Sequence, residues 1–325
     1  MWNLAVEEAL LRSVAVGKAP CTLRLWRNPP SVIIGLFQQA ALDVNLVECE
    51  KQGIPVVRRI SGGGAVYHDK GNLNYTIVVN TGKFKVPENS YKLFCQGLIK
   101  GLEKLGVEAE YKPVNDICLN QKKISGTAQA QMLKGLLHHG TLLISTEIEK
   151  MDQLLIVPRE KLASKRVRRV SERVTTLERE GYKFKLEEIV EAIVEGFKET
   201  LKVEFKIGEL TSHEEKLVEK LYREKYCRRE WNLNPVPEHQ AIGLHKAEGG
   251  LIRILLTLDR GVIESLKITG DFNANPEKIE RLERKLVGAK IVEARRIVEE
   301  EGEIAPRVKP EDLLTAIRKA VENIV

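Results

Sequence analysis

The run Ser-Gly-Gly-Gly at positions 61–64, preceded by Val-Val-Arg-Arg-Ile and followed by Ala-Val-Tyr-His, constrains this chain more than any other segment of it. It reads as a strand end, a bend and a second strand. Three consecutive glycines cost backbone entropy on folding, and a strand connection ordinarily needs only one or two. Something must therefore lie against the bare main chain, and the two arginines mark it as an anion. Arg58 or Arg59 can form a bidentate pair with a phosphate, while the amides of Gly62, Gly63 and Gly64 form a backbone nest beside it. The plain alternative is a glycine-rich hairpin with exposed arginines.

A second segment weighs against that alternative. Residues 115–131 read Asn-Asp-Ile-Cys-Leu-Asn-Gln-Lys-Lys-Ile-Ser-Gly-Thr-Ala-Gln-Ala-Gln, and residues 137–145 read Leu-His-His-Gly-Thr-Leu-Leu-Ile-Ser. Polar groups again crowd strand ends. Strand side chains alternate, so Lys122 and Lys123 face opposite ways, with Lys122 expected in solvent, and His138 and His139 do the same, one facing a pocket and one packing. Two histidines so placed cannot both ligate one metal.

At 325 residues with 43% apolar content, the chain can bury one large core and one small one. No apolar run approaches the roughly 20 residues of a membrane span, and the N-terminus lacks a basic region followed by an apolar stretch and cleavage site. A cytoplasmic protein without a membrane partner is expected. Five scattered cysteines, Cys21, Cys49, Cys95, Cys118 and Cys227, offer neither a disulfide framework nor a zinc spacing. The net charge of +6 is partly local: residues 161–173 hold Lys161, Lys165, Arg166, Arg168, Arg169 and Arg173 against Glu172. That stretch is read as a loop closing over an anionic ligand or a docking face for an acidic partner, in preference to a nucleic-acid patch or a solvated helix face.

Periodicity predicts a helix capped by Asn3, strands at 22–26 and 32–34 split by Asn28-Pro29-Pro30, and a helix opened by Asp43. Strands follow at 56–60 and 74–79, then a helix over 88–105 stopped by Gly106. Strands at 122–129 and 136–145 and helices at 185–200 and 213–227 complete a mixed, mainly antiparallel sheet unit with helices beside it. Pro235 and Pro237 make a stiff connection, giving domains 1–234 and 238–325. The second is a small α+β unit, with a hairpin at 251–258 and 262–269 and helices at 276–287 and 311–325. Its surface shows no catalytic cluster.

With Asn3-Leu-Ala-Val-Glu-Glu-Ala-Leu and Trp26-Arg-Asn-Pro-Pro-Ser-Val-Ile-Ile-Gly, the two polar segments above resemble the lipoate-protein ligase family essentially end to end. The resemblance implies the α+β fold of biotin and lipoate ligases: a large catalytic domain of mixed, mainly antiparallel sheets flanked by helices, plus a C-terminal accessory domain. It implies an ATP-dependent ligase that activates free lipoate to lipoyl-AMP and transfers the acyl group to a carrier lysine. Substrates and cofactors are then ATP, Mg2+ and lipoate. Partners are lipoyl carrier domains, of a 2-oxoacid dehydrogenase acyltransferase subunit or of the glycine cleavage H protein, whose acidic character the basic stretches would steer.

By motif match Lys123 is the active-site lysine. Its ammonium would bridge the acyl carboxylate and the α-phosphate as they approach and then polarise the acyl carbonyl. Arg59, Gly64, Ala65, Val66 and Tyr67 belong to the nucleotide and acyl site, with Arg58, Gly62, Gly63 and His139 beside them. Asp116 holds magnesium or orients the incoming amine, or else is a buried turn cap. Family members usually carry a short strand ahead of the first helix, which Met1-Trp2 here does not supply, so a bare sheet edge is expected. The nearest rival is an octanoyl or lipoyl transferase, or amidotransferase, that passes an acyl group through a thiolate without ATP. Cys118 is the cysteine in a motif region. An odd spacing from Lys123 would turn it to the opposite face of an uninterrupted strand, so it is read as a packing residue. The Gly-Arg-Gly-Arg loop of biotin ligases is absent. A transferase restricted to preformed lipoyl-AMP and a non-catalytic lipoate-binding module are the remaining rivals.

Overall fold

The computed structural model describes residues 1–87, 89–158 and 169–324. Helix α1 (Trp2–Ala15) is followed by β1 (Thr22–Trp26), β2 (Ser31–Ile34), the short helices α2 (Ala40–Asp43) and α3 (Leu46–Lys51), β3 (Val56–Arg58), β4 (Val66–His68) and β5 (Asn72–Asn80). Next come α4 (Ser90–Lys104), β6 (Glu110–Lys112), β7 (Asp116–Leu119), β8 (Lys122–Met132), β9 (Gly135–Leu143) and α5 (Ile148–Leu154). Helices α6 (Leu186–Leu201), α7 (Ser212–Leu221) and α8 (Arg229–Leu233) precede the C-terminal strands β10 (Ala241–Ala247), β11 (Gly250–Asp259) and β12 (Val262–Gly270) and the helices α9 (Pro276–Leu286), α10 (Ala294–Glu301) and α11 (Pro310–Glu322).

Six strands form one antiparallel sheet in the order β1-β5-β9-β8-β7-β6, and three form a second in the order β3-β2-β4. In the latter, β2 runs parallel to β3 and antiparallel to β4. The β3–β4 connection is the triple-glycine bend, which crosses the end of β2 within this sheet, Leu36 N donating to Ser61 O at 2.9 Å. Helices α4 and α6 bury Phe94, Leu98, Ile189, Ile193 and Phe197 with Tyr75 and Ile77 of β5 in one core. Leu4, Leu10, Leu11 and Val14 of α1 fill another with Trp26, Val57 and Leu137. The C-terminal sheet, order β10-β11-β12, packs Ile252, Ile254 and Leu256 against Leu282, Leu313 and Ile317 of its helices.

Several local expectations change. Asn3 lies inside α1, whose N-cap is Met1, and its amide donates to Asn28 Oδ1 at 2.9 Å, tying the helix to the Asn28-Pro29 turn. Asp43 closes α2 instead of opening a helix; Asn45 caps α3 by accepting from Glu48 N. Strand β10 and helix α10 were not among the elements expected from the sequence. Strand β1 forms an edge of the six-stranded sheet, pairing with β5 alone. The basic stretch falls largely outside the described residues, which resume at Arg169. No helix among the described residues is long and apolar enough to cross a membrane.

Candidate active site

Lys123 stands at the start of β8, and two departures from regular pairing decide where it points. Asn120 and Gln121, at φ of 50° and 65°, form a two-residue turn joining β7 to β8. The right-handed twist of the strands favours such a turn even without glycine. A bulge then follows: Ile117 pairs with Ser125 and Cys118 with Lys123, leaving Ile124 as the extra residue. Ile124 and Ser125 are both fully buried, while Lys123 and Gly126 face the other way. The Lys123 amide donates to Arg173 O at 2.9 Å and its carbonyl accepts from Thr175 N at 2.9 Å, so residues 173–175 lie along the strand start.

That pairing places Arg173 over Asp116. The Asp116 carboxylate accepts from Lys123 Nζ at 2.6 Å through one oxygen and is hydrogen-bonded by Arg173 through the other. Lys123, Asp116 and Arg173 border a cavity of about 440 Å3, together with Gly63, Gly64, Ala65, Val66 and Tyr67. The volume lies within the range of small-molecule sites. Its apolar wall includes Leu143, Met151, Leu155 and Val174. The opposite wall comes from the C-terminal unit, through Lys246, Glu248, Asp271, Asn273 and Arg307. This unit therefore contributes polar residues to the cavity wall. Its polar residues are scattered along the chain and converge only when β10, β12 and the loop before α11 pack together.

Four expected ligand-binding residues do not line the cavity. Arg58 is buried, with its guanidinium donating to the carbonyls of Gln38 at 2.5 Å, Trp231 at 2.8 Å, Leu36 at 2.9 Å and Gly35 at 3.1 Å. Trp231 Nε1 donates back to Arg58 O at 3.0 Å, so this arginine latches α8 to β3. Arg59 lies behind the glycine bend, donating to Gly62 O at 2.6 Å, Gly64 O at 3.0 Å and Ser61 Oγ at 3.0 Å. Burial lowers both arginines to about 10, which leaves them charged at neutral pH. Gly62 turns its amide to Asn273 Oδ1 at 3.2 Å. His139 lies beneath the bend, its Nε2 2.7 Å from Ser61 Oγ and its Nδ1 3.0 Å from Glu7 Oε1. His138 packs among Phe94, Tyr75 and Tyr91, so the two histidines do diverge, but neither borders the cavity.

The bend itself is shaped by crowding. Gly63 has φ of +90°, and a Cβ there would lie 2.8 Å from Arg59 Nη2; a Cβ on Gly35 would lie 2.0 Å from Gly63 O. Beyond it the C-terminal unit closes in, with Gly63 N donating to Phe272 O at 3.3 Å and Asn273 Nδ2 to the Tyr91 hydroxyl at 3.1 Å. Burial pushes the phenols of Tyr67 and Tyr91 up to about 12, so both face the site as neutral groups.

Cys118 is paired with Lys123 across the hairpin, and directly opposed residues share a face. The expected opposition of the two is overturned by the Asn120-Gln121 turn. Cys118 is nevertheless buried, does not border the cavity, and has its thiol pushed up by burial. Asp116, held between two cations, does not suit a divalent ion, and among the described residues no cluster of three or more His, Cys, Asp or Glu side chains could hold one. The metal role expected of Asp116 is withdrawn. Arg173 was visible in the sequence only as part of a basic stretch; Tyr91, Thr127, Lys246, Asn273 and Arg307 carried no local signal.

The family profile described as lipoyl protein ligase A/B catalytic domain matches residues 1–198, and that of the bacterial lipoate protein ligase C-terminus matches residues 237–316. The chain is 34% identical to lipoate–protein ligase 1 of Staphylococcus aureus over 88% of its own length and 85% of that protein. It is 32% identical to octanoyltransferase LipM of Brevibacillus brevis over 71% of its length and 94% of that protein. A solved structure of an archaeal lipoylation system, a bi-partite lipoate protein ligase and its E2 lipoyl domain from Thermoplasma acidophilum, superposes with TM-score 0.66 at 34% identity, covering 73% of this chain and 93% of that one. Two more, a T. acidophilum putative lipoate protein ligase with bound lipoic acid and a lipoate-protein ligase A bound with ATP, give TM-score 0.64 at 32% identity, covering 72% of this chain and 94% of theirs.

Proposed function

The chain belongs to the lipoyl protein ligase A/B family, and from that membership we propose that it is an ATP-dependent lipoate-protein ligase working in two steps at the Lys123 cavity. A free carboxylate resists amines because oxide is a poor leaving group. In the first step a lipoate carboxylate oxygen attacks the α-phosphorus of ATP and pyrophosphate leaves. In the second, the neutral ε-amine of a carrier lysine attacks the acyl carbon, AMP leaves, and the amine proton passes to solvent.

One observation carries this reading: Lys123 faces a cavity shared by the triple-glycine bend, Asp116 and Arg173. Its ammonium offsets the repulsion of carboxylate and phosphate as they meet, and oriented donors of this kind contribute roughly 3 kcal/mol each to a charged transition state. The amides of Gly64 and Ala65 cradle phosphate, the wall from Leu143 to Leu155 takes the acyl chain, and Asp116 orients the incoming amine. Magnesium would arrive with the nucleotide and would offset its phosphate charge.

The acceptor is a lipoyl carrier domain, of a 2-oxoacid dehydrogenase acyltransferase subunit or of the glycine cleavage H protein; the ligase from T. acidophilum described with its E2 lipoyl domain supports the first. Five free cysteines and the use of ATP support a cytoplasmic setting. Separate hydrophobic clusters before Leu233 and after Ala247 support the division into units 1–234 and 238–325.

The test is pyrophosphate release from ATP, magnesium and lipoate, with and without an apo-carrier. Wild-type protein should release it and lipoylate the carrier; absence of lipoyl-AMP under every condition would refute the ligase. Lys123→Ala should lower adenylation by about 100-fold or more while leaving the melting temperature nearly unchanged, because this partly exposed side chain adds little to stability. The LipM likeness keeps one rival in view. Cys118→Ala should retain adenylation and transfer, whereas loss of transfer from an octanoyl carrier in that variant would establish the thiol route.

A further inference from the structure

Beneath the glycine bend runs a buried chain of hydrogen bonds that the reaction above does not use. Trp26 Nε1 donates to Thr76 Oγ1 at 2.9 Å, and Thr76 Oγ1 donates to Glu7 Oε1 at 2.5 Å. Glu7 faces His139 Nδ1 at 3.0 Å, His139 Nε2 faces Ser61 Oγ at 2.7 Å, and Arg59 Nε donates to Ser61 Oγ at 3.0 Å. An ionised Glu7 only accepts, so His139 Nδ1 donates to it, while the Ser61 hydroxyl is hydrogen-bonded to His139 Nε2 and its oxygen accepts from Arg59.

Acid, histidine and serine in this order resemble a hydrolytic triad, but Ser61 is 1% exposed and does not border the cavity, so no substrate reaches its oxygen. The consequence lies at the far end of the chain. Arg59 Nη2 holds the carbonyls of Gly62 at 2.6 Å and Gly64 at 3.0 Å. In a trans peptide the N–H points opposite to its C=O. Drawing those two carbonyls back onto one guanidinium therefore turns the amides of Gly63 and Ala65 away from it: that of Gly63 meets Phe272 O at 3.3 Å, and that of Ala65 belongs to a residue bordering the cavity.

We propose that Glu7, His139 and Ser61 are positioning residues that lock Arg59 in place, and that Arg59 from behind aligns the Ala65 amide toward the nucleotide polyphosphate. This rests on the ligase reading. An arginine in this sequence position thus serves the anion without touching it.

The experiment measures steady-state adenylation and ATP binding by calorimetry in the full chain, for wild type, Ser61→Ala, the isosteric Glu7→Gln, His139→Gln and the double variant Ser61→Ala/His139→Gln. Expected are a rise of about tenfold or more in KM and Kd for ATP in each single variant, the size of one lost charge-linked hydrogen bond, KM for lipoate within about twofold of wild type, and a double variant no worse than the poorer single one. Glu7→Gln retains shape and serves where Ser61→Ala fails to fold. Unchanged ATP affinity in the folded variants would overturn the inference, as would equal losses for ATP and lipoate tracking a fall in melting temperature. A loss of kcat with ATP affinity intact would also overturn it, by marking Ser61 as a reacting group. Failure of the wild type to form lipoyl-AMP while binding ATP would fall on the ligase reading instead.

Discussion

Gly126 is where a single residue type bears most directly on the chemistry. A Cβ at this position would lie 2.3 Å from Lys123 Nζ and 2.5 Å from Lys123 Cε, atoms at the free end of a flexible side chain. Gly126→Ala should therefore fold normally, with a melting temperature close to wild type, yet push the ammonium aside. A displacement of about 1 Å costs about 100-fold in rate. A pyrophosphate assay showing wild-type adenylation in this variant would contradict the placement of Lys123. The motif lysine and the glycine three residues on were both legible in the sequence; that the one lies across the other was not, because the bulge at Ile124 breaks the alternation by which strand faces are read. Adjacent Arg58 and Arg59 show the same limit. Two arginines beside glycines looked like anion ligands, and only the surrounding carbonyls reveal that both hold main chain in place.

Among the elements, β4 and β9 carry buried histidines whose protonation the fold resists. Burial, aided by the charges of Arg59 and His139 for the first and of His139 for the second, lowers His68 and His138 to about 3. Unfolded histidine takes up its proton near pH 6.5. The unfolded chain thus binds more protons between about pH 6.5 and 3, so stability is full above that window and falls as the pH drops through it. Glu7 and Glu8, both lowered on folding, add acid sensitivity of the same sign only below their ordinary value of 4.5. The urea midpoint should accordingly decline between pH 6.5 and 5, and His138→Gln should flatten that decline. A profile level across this interval would show that neither histidine is held neutral. Alternation along β9 rightly separated His138 from His139. It left open what each would meet, since β9 is covered by α4 on one side and by α1 and the bend on the other.

Across the whole molecule, the cavity depends on the C-terminal unit staying docked, and a buried ion pair helps to hold it there. Arg253 of β11 donates to both oxygens of Asp43, at 3.1 Å and 3.0 Å, with both side chains nearly inaccessible. Phe37 stacks on Phe272 at 5.0 Å beside it. Asp43→Asn leaves a buried guanidinium unpaired and should cost about 3–5 kcal/mol in chemical denaturation, whereas removing both charges in Asp43→Asn/Arg253→Met should cost less. A single variant within about 0.5 kcal/mol of wild type would show that the pair is solvated. The amino-acid sequence alone determined the α+β class, most of the strands and helices and the lysine and glycine motifs, because alternation, helical periodicity and turn chemistry are local properties of the chain. Only the tertiary structure decided which residues meet the ligand space. A side chain's role depends on which groups already occupy its hydrogen bonds, and for Arg58, His139, Asp116 and Arg253 those partners come from distant parts of the sequence.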